Sequence, residues 1–323
     1  MGKAEATVPR PDSGRPRLVL AVGVLPVVAL FLAVGLVGIF RYLDNFWRFR
    51  GFPPPRDPAY VSQRGMTRQI FVRSDAIGGR SQAVYVYLPP GYRNHPRRRY
   101  PVFYLLHGFP GRPQGAFLWT NQVGVDEDVL VANHTVHPAI LVMPYGSTGF
   151  FTDKEWANGI HPGEGWETFM AHDVVRAIDH RYRTIRSGRG RALGGLSEGG
   201  YGALNIGLHH PGEFGVLESW SGYVLAENVK SVFGGDHRLL RVNSPLLTLP
   251  HAAAKLRRAR TYIWLYTGTD DKLKQESAAF AAMLRRGRIA YRYNVFRGGH
   301  SWALWRAQTP RALVLASRHL AHG

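Results

Sequence analysis

One stretch constrains the fold more than any other: "RALGGLSEGGYGALNIGLHHP", Arg191 to Pro211. The apolar residues before Ser197 suit a short buried strand. Those after it (Tyr201, Leu204, Ile206 and Leu208) suit a helix packed through small residues and closing at "HHPG". Gly195-Leu196-Ser197-Glu198-Gly199 fits G-x-S-x-G, a strand-to-helix elbow that holds a serine hydroxyl clear of the backbone. A β-carbon at either flanking glycine would collide with neighbouring chain in so tight a turn.

The rest of the chain supplies the sheet that such an elbow needs. From about Met66, "RQIFVR" and "SQAVYVYLPP" read as a hairpin, and "YPVFYLLHG" as a continuous apolar run of the kind a buried parallel strand shows. "AILVMP", "RALGGLS", "GVLESWSG", "TYIWLYTG" and "AYRYNVFRGG" are further strands. "WETFMAHDVVRAIDHRY", the segment after Ser197 and "KQESAAFAAMLRRG" have helical periodicity. Strands alternating with helices imply a mostly parallel sheet covered on both faces, with ligands at the carboxyl ends of its strands.

A serine hydroxyl needs a base to take its proton, and the base needs an acid to fix its orientation. In the fold that carries this elbow, the α/β-hydrolase fold, the chain order is serine, acid, histidine. Asp270 and Asp271 follow a buried strand in "YTGTDDKL", whereas Asp236 in "FGGDHR" lacks that placement. His300 in "FRGGHSWALW" follows a strand and two glycines and precedes a helix. His209 and His210 lie at the far end of the helix that Ser197 begins, roughly 18 Å along it. An oxyanion would be met by the backbone N–H of Glu198 and by one from the loop after "YLLHG", where Phe109 is in position. His107 precedes the acid and suits a structural role under that loop.

The N-terminus adds a different element. Leu18 to Phe40 carries no charge over 23 residues, roughly 34 Å of helix and enough to cross a hydrocarbon core. The run is long for a signal-peptide core and no A-x-A-like site follows it. The expected organisation is a basic tail over 1–17, a transmembrane anchor over 18–40, a juxtamembrane linker over 41–64 and a catalytic domain over 65–323. Flanking arginines are nearly balanced, and the expected orientation leaves the domain outside the cytoplasm. The net charge of +19 comes with no nucleic-acid motif, so anionic lipid or an envelope polymer is the expected partner class. With no cysteine, thiolate metal sites and cysteine nucleophiles are excluded. No H-E-x-x-H pattern or histidine cluster calls for a metal, and no cofactor is expected.

From about Gln69 onward the chain resembles the esterase D-like putative esterases, which include feruloyl and acetyl-xylan esterases, S-formylglutathione hydrolase and secreted mycolyltransferases. The likeness rests on "YLPPGY", "YPVFYLLHG", "LVMP", "WETF", "GGLSEGG", "YTGTDD" and "GGHSWALW" in this order. It implies Ser197 as nucleophile, His300 as base, Phe109 and Glu198 as the oxyanion hole, and Asp271 as the best match for the acid, with Asp270 the fallback. Trp166 of "WETF" and Trp302 of "GGHSWALW" are expected to touch substrate; the Glu198 side chain either turns aside into a salt bridge or faces the pocket to meet a positive group or a hydroxyl of the substrate. The family usually has methionine where this chain has Glu198. The expectation is a membrane-anchored serine esterase acting on an envelope lipid or glycan. An acyltransferase is the alternative, and the intact serine, acid and histidine set argues against a non-catalytic binding module.

Overall fold

The computed structural model describes residues 24–226 and 229–323. The chain divides into two units, Met1–Phe52 and Pro53–Gly323.

Within the first unit a helix spans Leu25–Phe49, with Pro26 in its first turn, where the missing N–H costs nothing. No residue of it is buried within the chain, and its apolar window has a mean hydropathy of 2.1. Its length and apolarity are those a membrane span requires. The expected tail 1–17 and the start of the expected anchor, 18–23, lie outside the described residues. The helix also continues past Phe40. Asp44 and Arg48, one turn apart, close an ion pair of 2.7 Å on its polar last turns.

The second unit is built on eight strands in the order β1-β2-β4-β3-β5-β6-β7-β8. β1 (Met66–Ser74) and β2 (Arg80–Leu88) form the antiparallel edge. β3 (Val102–Leu106), β4 (Ile140–Pro144), β5 (Arg191–Leu196), β6 (Val216–Trp220), β7 (Tyr262–Gly268) and β8 (Ala290–Phe296) run parallel. Alternation along β3 shows why both faces are covered. Val102, Tyr104 and Leu106 enter one core with Trp166, Leu204, Leu256 and Phe280, while Phe103 and Leu105 enter the other with Phe117, Trp220, Leu304 and Leu313. Helices Glu198–His209, Pro245–Ala259 and Lys274–Arg286 cover the first face, and Trp302–His319 covers the second. After β3 the chain moves outward to β4, then returns to β5 on the other side. That reversal opens the crevice at the carboxyl ends of β3 and β5 where ligands bind in such sheets.

The expected linker 41–64 is divided in two. Residues up to Phe49 are helical, while residues from Pro53 pack on the second unit, where Val61 is buried and the Gly65 N–H donates to Asp128 Oδ1 at 2.7 Å.

Candidate active site

The elbow forms where the motif requires it. Ser197 sits between β5 and the helix Glu198–His209 at φ 55°, ψ −122°, a strained backbone that persists only when its surroundings fix it. Two contacts do so. A Cβ at Gly195 would lie 2.4 Å from the Leu106 carbonyl oxygen, and one at Gly199 would lie 1.9 Å from the same atom. β3 and the elbow therefore touch backbone to backbone, which only glycine permits.

Around Ser197 the structure brings together His300 and Asp271. His300 Nε2 lies 2.9 Å from Ser197 Oγ, and its Nδ1 lies 3.1 Å from Asp271 Oδ2. With the ring proton on Nδ1, the imidazole donates to the carboxylate and accepts the serine hydroxyl. Burial raises the Asp271 carboxyl, but hydrogen bonds with His300 and from the Leu273 N–H outweigh that and hold it below the ordinary aspartate range. Asp270 is exposed beside it, its N–H donating to the Gly298 carbonyl at 3.0 Å. Asp236 instead caps the helix His237–Val242, accepting from the N–H groups of Arg238 and Leu239. His209 binds Glu167 and the Val242 carbonyl, remote from the serine.

The loop after β3 lies against the elbow. A Cβ at Gly108 would be 3.0 Å from the Leu196 carbonyl oxygen and 3.1 Å from Ser197 Cβ, so the Phe109 peptide follows directly beside the serine. Glu198 opens the helix, where a first-turn N–H has no intrahelical acceptor. These are the two expected oxyanion donors. His107 braces the loop from below: its Nδ1 faces the Gly108 carbonyl at 3.1 Å, and its Nε2 accepts the Gly146 N–H at 3.1 Å. Burial lowers its pKa to about 4, so the ring is neutral. Trp156 Nε1 donates to the His107 carbonyl at 3.0 Å.

Two expected substrate contacts are corrected. Trp166 is only 1% exposed and packs edge-on against Phe169 in the core, because the apolar face of its helix turns inward; no surface remains to meet a ligand. The Glu198 side chain is 5% exposed. It accepts the backbone N–H of Glu155, and burial together with the Asp153 and Glu155 carboxylates pushes its pKa well above the ordinary glutamate value. The fold thus disfavours its charged form, and among the described residues it closes no ion pair. Trp302 stays half-buried near the site, its ring 5.1 Å from Trp305.

Sequence reasoning missed Trp305, whose ring meets that of His300 edge-on at 4.9 Å. Its signal was there: in "HSWALW" it stands three residues after Trp302, on the same helical face. It also missed Ser221, buried at φ 55° just after β6 and beside Asp271. No motif marks that serine.

Comparison with known proteins bears on the family and the fold. A family model described as putative esterase matches residues 74–315. The chain is 24% identical over 323 residues to an uncharacterised protein of Corynebacterium glutamicum, covering 91% of this chain and 74% of that one. It is 34% identical over 150 residues to an esterase of Mycobacterium tuberculosis, covering 46% of this chain and 31% of that longer protein. Among solved structures a ferulic acid esterase shares the fold with a TM-score of 0.70 at 25% identity, covering 80% of this chain and 100% of that one. The family match takes in the elbow, the acid and the histidine, and the chain belongs to the putative esterase family.

Proposed function

We propose that the chain is a serine esterase in which Ser197 is the nucleophile, His300 the general base and Asp271 the acid that orients it. The observation that carries this reading is the unbroken relay from Ser197 Oγ through both ring nitrogens of His300 to Asp271 Oδ2, at 2.9 and 3.1 Å. As Ser197 Oγ attacks the ester carbonyl, its proton passes to Nε2, and the ionised Asp271 stabilises the imidazolium. Negative charge gathers on the carbonyl oxygen, which the N–H groups of Phe109 and Glu198 receive. The Nε2 proton then passes to the leaving alkoxide, giving an acyl-serine and a free alcohol. Water attacks the acyl-serine by the same route, releasing the acid and restoring the serine.

The substrate class follows from what surrounds the relay and from the first unit. Phe109 and Phe151, at the carboxyl ends of β3 and β4, are 41% and 78% exposed, an apolar rim suited to an acyl or aromatic ester. The helix Leu25–Phe49 supports anchorage in a membrane, with the enzyme acting on an ester of an envelope lipid or glycan. Hydrolysis of p-nitrophenyl esters of graded chain length by the purified full chain tests the chemistry. Turnover that persists undiminished in Ser197→Ala would overturn it.

A further inference from the structure

The six parallel strands start at one end of the sheet, and that end is basic. The segments leading into β3, β5, β7 and β8, at 97–99, 183–189, 257–260 and 285–288, carry three arginines each and no aspartate or glutamate. Strand register holds them at one pole, since Val102 pairs with Arg191, Val216 with Tyr262, and Tyr262 with Ala290. Cross-links confirm their adjacency: Arg99 Nη1 donates to the Thr184 carbonyl at 3.1 Å, and Arg257 Nη1 to that of Gly287 at 2.6 Å. Arg97, Arg189, Arg258 and Arg286, one from each segment, are exposed.

Among the described residues none of these twelve arginines is ion-paired with a carboxylate. Asp179 and Glu213 at the same pole are both taken by Arg191. So many like charges on one face repel one another, and an anionic partner relieves that repulsion. Ser197 lies at the opposite end of the sheet, following β5.

The first strand of this unit also starts at the basic pole. Met66, the first residue of β1, pairs with Leu88, and neighbouring Tyr87 pairs with Leu141 at the start of β4. Only residues 50–65, of which those from Pro53 onward already belong to this unit, separate that strand from the apolar helix Leu25–Phe49. Screening confines attraction between exposed charges to about 8 Å at physiological salt, so a short tether is what gives such a face a bilayer to meet. We propose that the arginine pole docks on the anionic lipid headgroups of a bilayer, leaving the Ser197 end of the sheet on the side away from it. This rests on the reading of Leu25–Phe49 as a membrane anchor. Guanidinium groups suit the partner because they bind phosphate bidentately.

The absence of cysteine allows single-site labelling of the full chain. A fluorophore is placed by Ser187→Cys at the pole or by Phe151→Cys at the catalytic end, in vesicles of phosphatidylcholine with or without phosphatidylglycerol and a headgroup quencher. Quenching of the Ser187→Cys label but not the Phe151→Cys label, only with phosphatidylglycerol and reversed by salt, is the expected result. The combined variant Arg97→Gln, Arg189→Gln, Arg258→Gln and Arg286→Gln, with turnover of a soluble ester unchanged, lowers the docking equilibrium by about three orders of magnitude. Equal quenching with and without phosphatidylglycerol, or in that variant, overturns the proposal. Flotation with phosphatidylcholine vesicles at high salt reports the anchor separately. A chain that fails to float there yet shows pole-specific quenching with phosphatidylglycerol loses the anchor and keeps the pole. Retention on soluble polyphosphate without quenching on vesicles would assign the pole to a polyanion and overturn the lipid assignment.

Discussion

Asp271 and His300 meet at 3.1 Å with opposite access to solvent: the aspartate side chain is 1% exposed, the histidine 37%. A sealed acid keeps its ionised form for one partner, and an open base can exchange protons with substrate and water. The division is set by β7 and β8. Asp271 lies just after β7, while His300 follows β8 through Gly298 and Gly299.

That arrangement makes the acid separable from its neighbour by mutation. Asp271→Asn is expected to lower kcat/KM by about 10³ to 10⁴, because an amide cannot hold the imidazolium in place. Asp270→Asn, at an exposed position, is expected to stay within about threefold of the parent. Steady-state kinetics on one neutral ester decide it, and the reverse order would move the acid to Asp270.

Ser197→Ala and His300→Ala are each expected to cost several orders of magnitude in kcat, and the double variant little more, since members of a relay act as a unit. Both side chains sit on loops held by other contacts, so thermal unfolding should remain cooperative. Additive losses in the double variant would show that the two residues act independently and would remove the relay.

His107 gives a pH signature of its own. Its folded pKa, about 4, lies below the ordinary 6.5 because burial penalises the charged ring. The unfolded chain therefore binds the proton first. The contribution of this group is full above pH 6.5 and is lost as pH falls towards 4, an amount on the order of 3 kcal/mol. His107→Gln is expected to be less stable than the parent at pH 7, with the difference shrinking by pH 4.5. Denaturant unfolding at both values checks it, and a gap that holds constant with pH would mean that the ring is not desolvated.

The strands and the elbow were legible because each is a local pattern: apolar runs with turn residues at their ends, and glycines where backbones touch. The helix Pro245–Ala259 was not read, since Pro250 inside it breaks the ordinary signal. The choice between Asp270 and Asp271 needed the depth of each side chain, a property of the turn and not of the motif. Trp166 misled because "WETF" as a motif carries no sign of which face its helix buries. Glu198 misled for a related reason: a sequence shows a charged letter, whereas burial in the fold disfavours the charged form.

Glu198 supplies the last prediction. Its carboxyl is held well above the ordinary 4.5 by burial first, then by Asp153 and Glu155, and it accepts the Glu155 N–H. Glu155 itself takes the Tyr223 hydroxyl. Because the native state keeps a proton that the unfolded chain releases near pH 4.5, this group's contribution is whole below that pH. It is lost as pH rises towards the folded value. Glu198→Gln, a neutral side chain of the same shape, is therefore expected to match the parent at pH 4 and exceed its stability at pH 8. Turnover of a neutral ester should stay within about threefold, since the oxyanion donor is the backbone N–H, which glutamine retains. Glu198→Met keeps that donor too, and the Glu155 N–H retains Asp153 Oδ1 at 3.0 Å as an acceptor. Both variants are expected to act equally on a neutral acyl ester and on an aminoacyl ester. A selective loss on the aminoacyl ester would mean that the carboxyl ionises and faces the substrate. A Glu198→Gln variant no more stable than the parent at pH 8 would mean that the carboxyl is not held neutral in the fold.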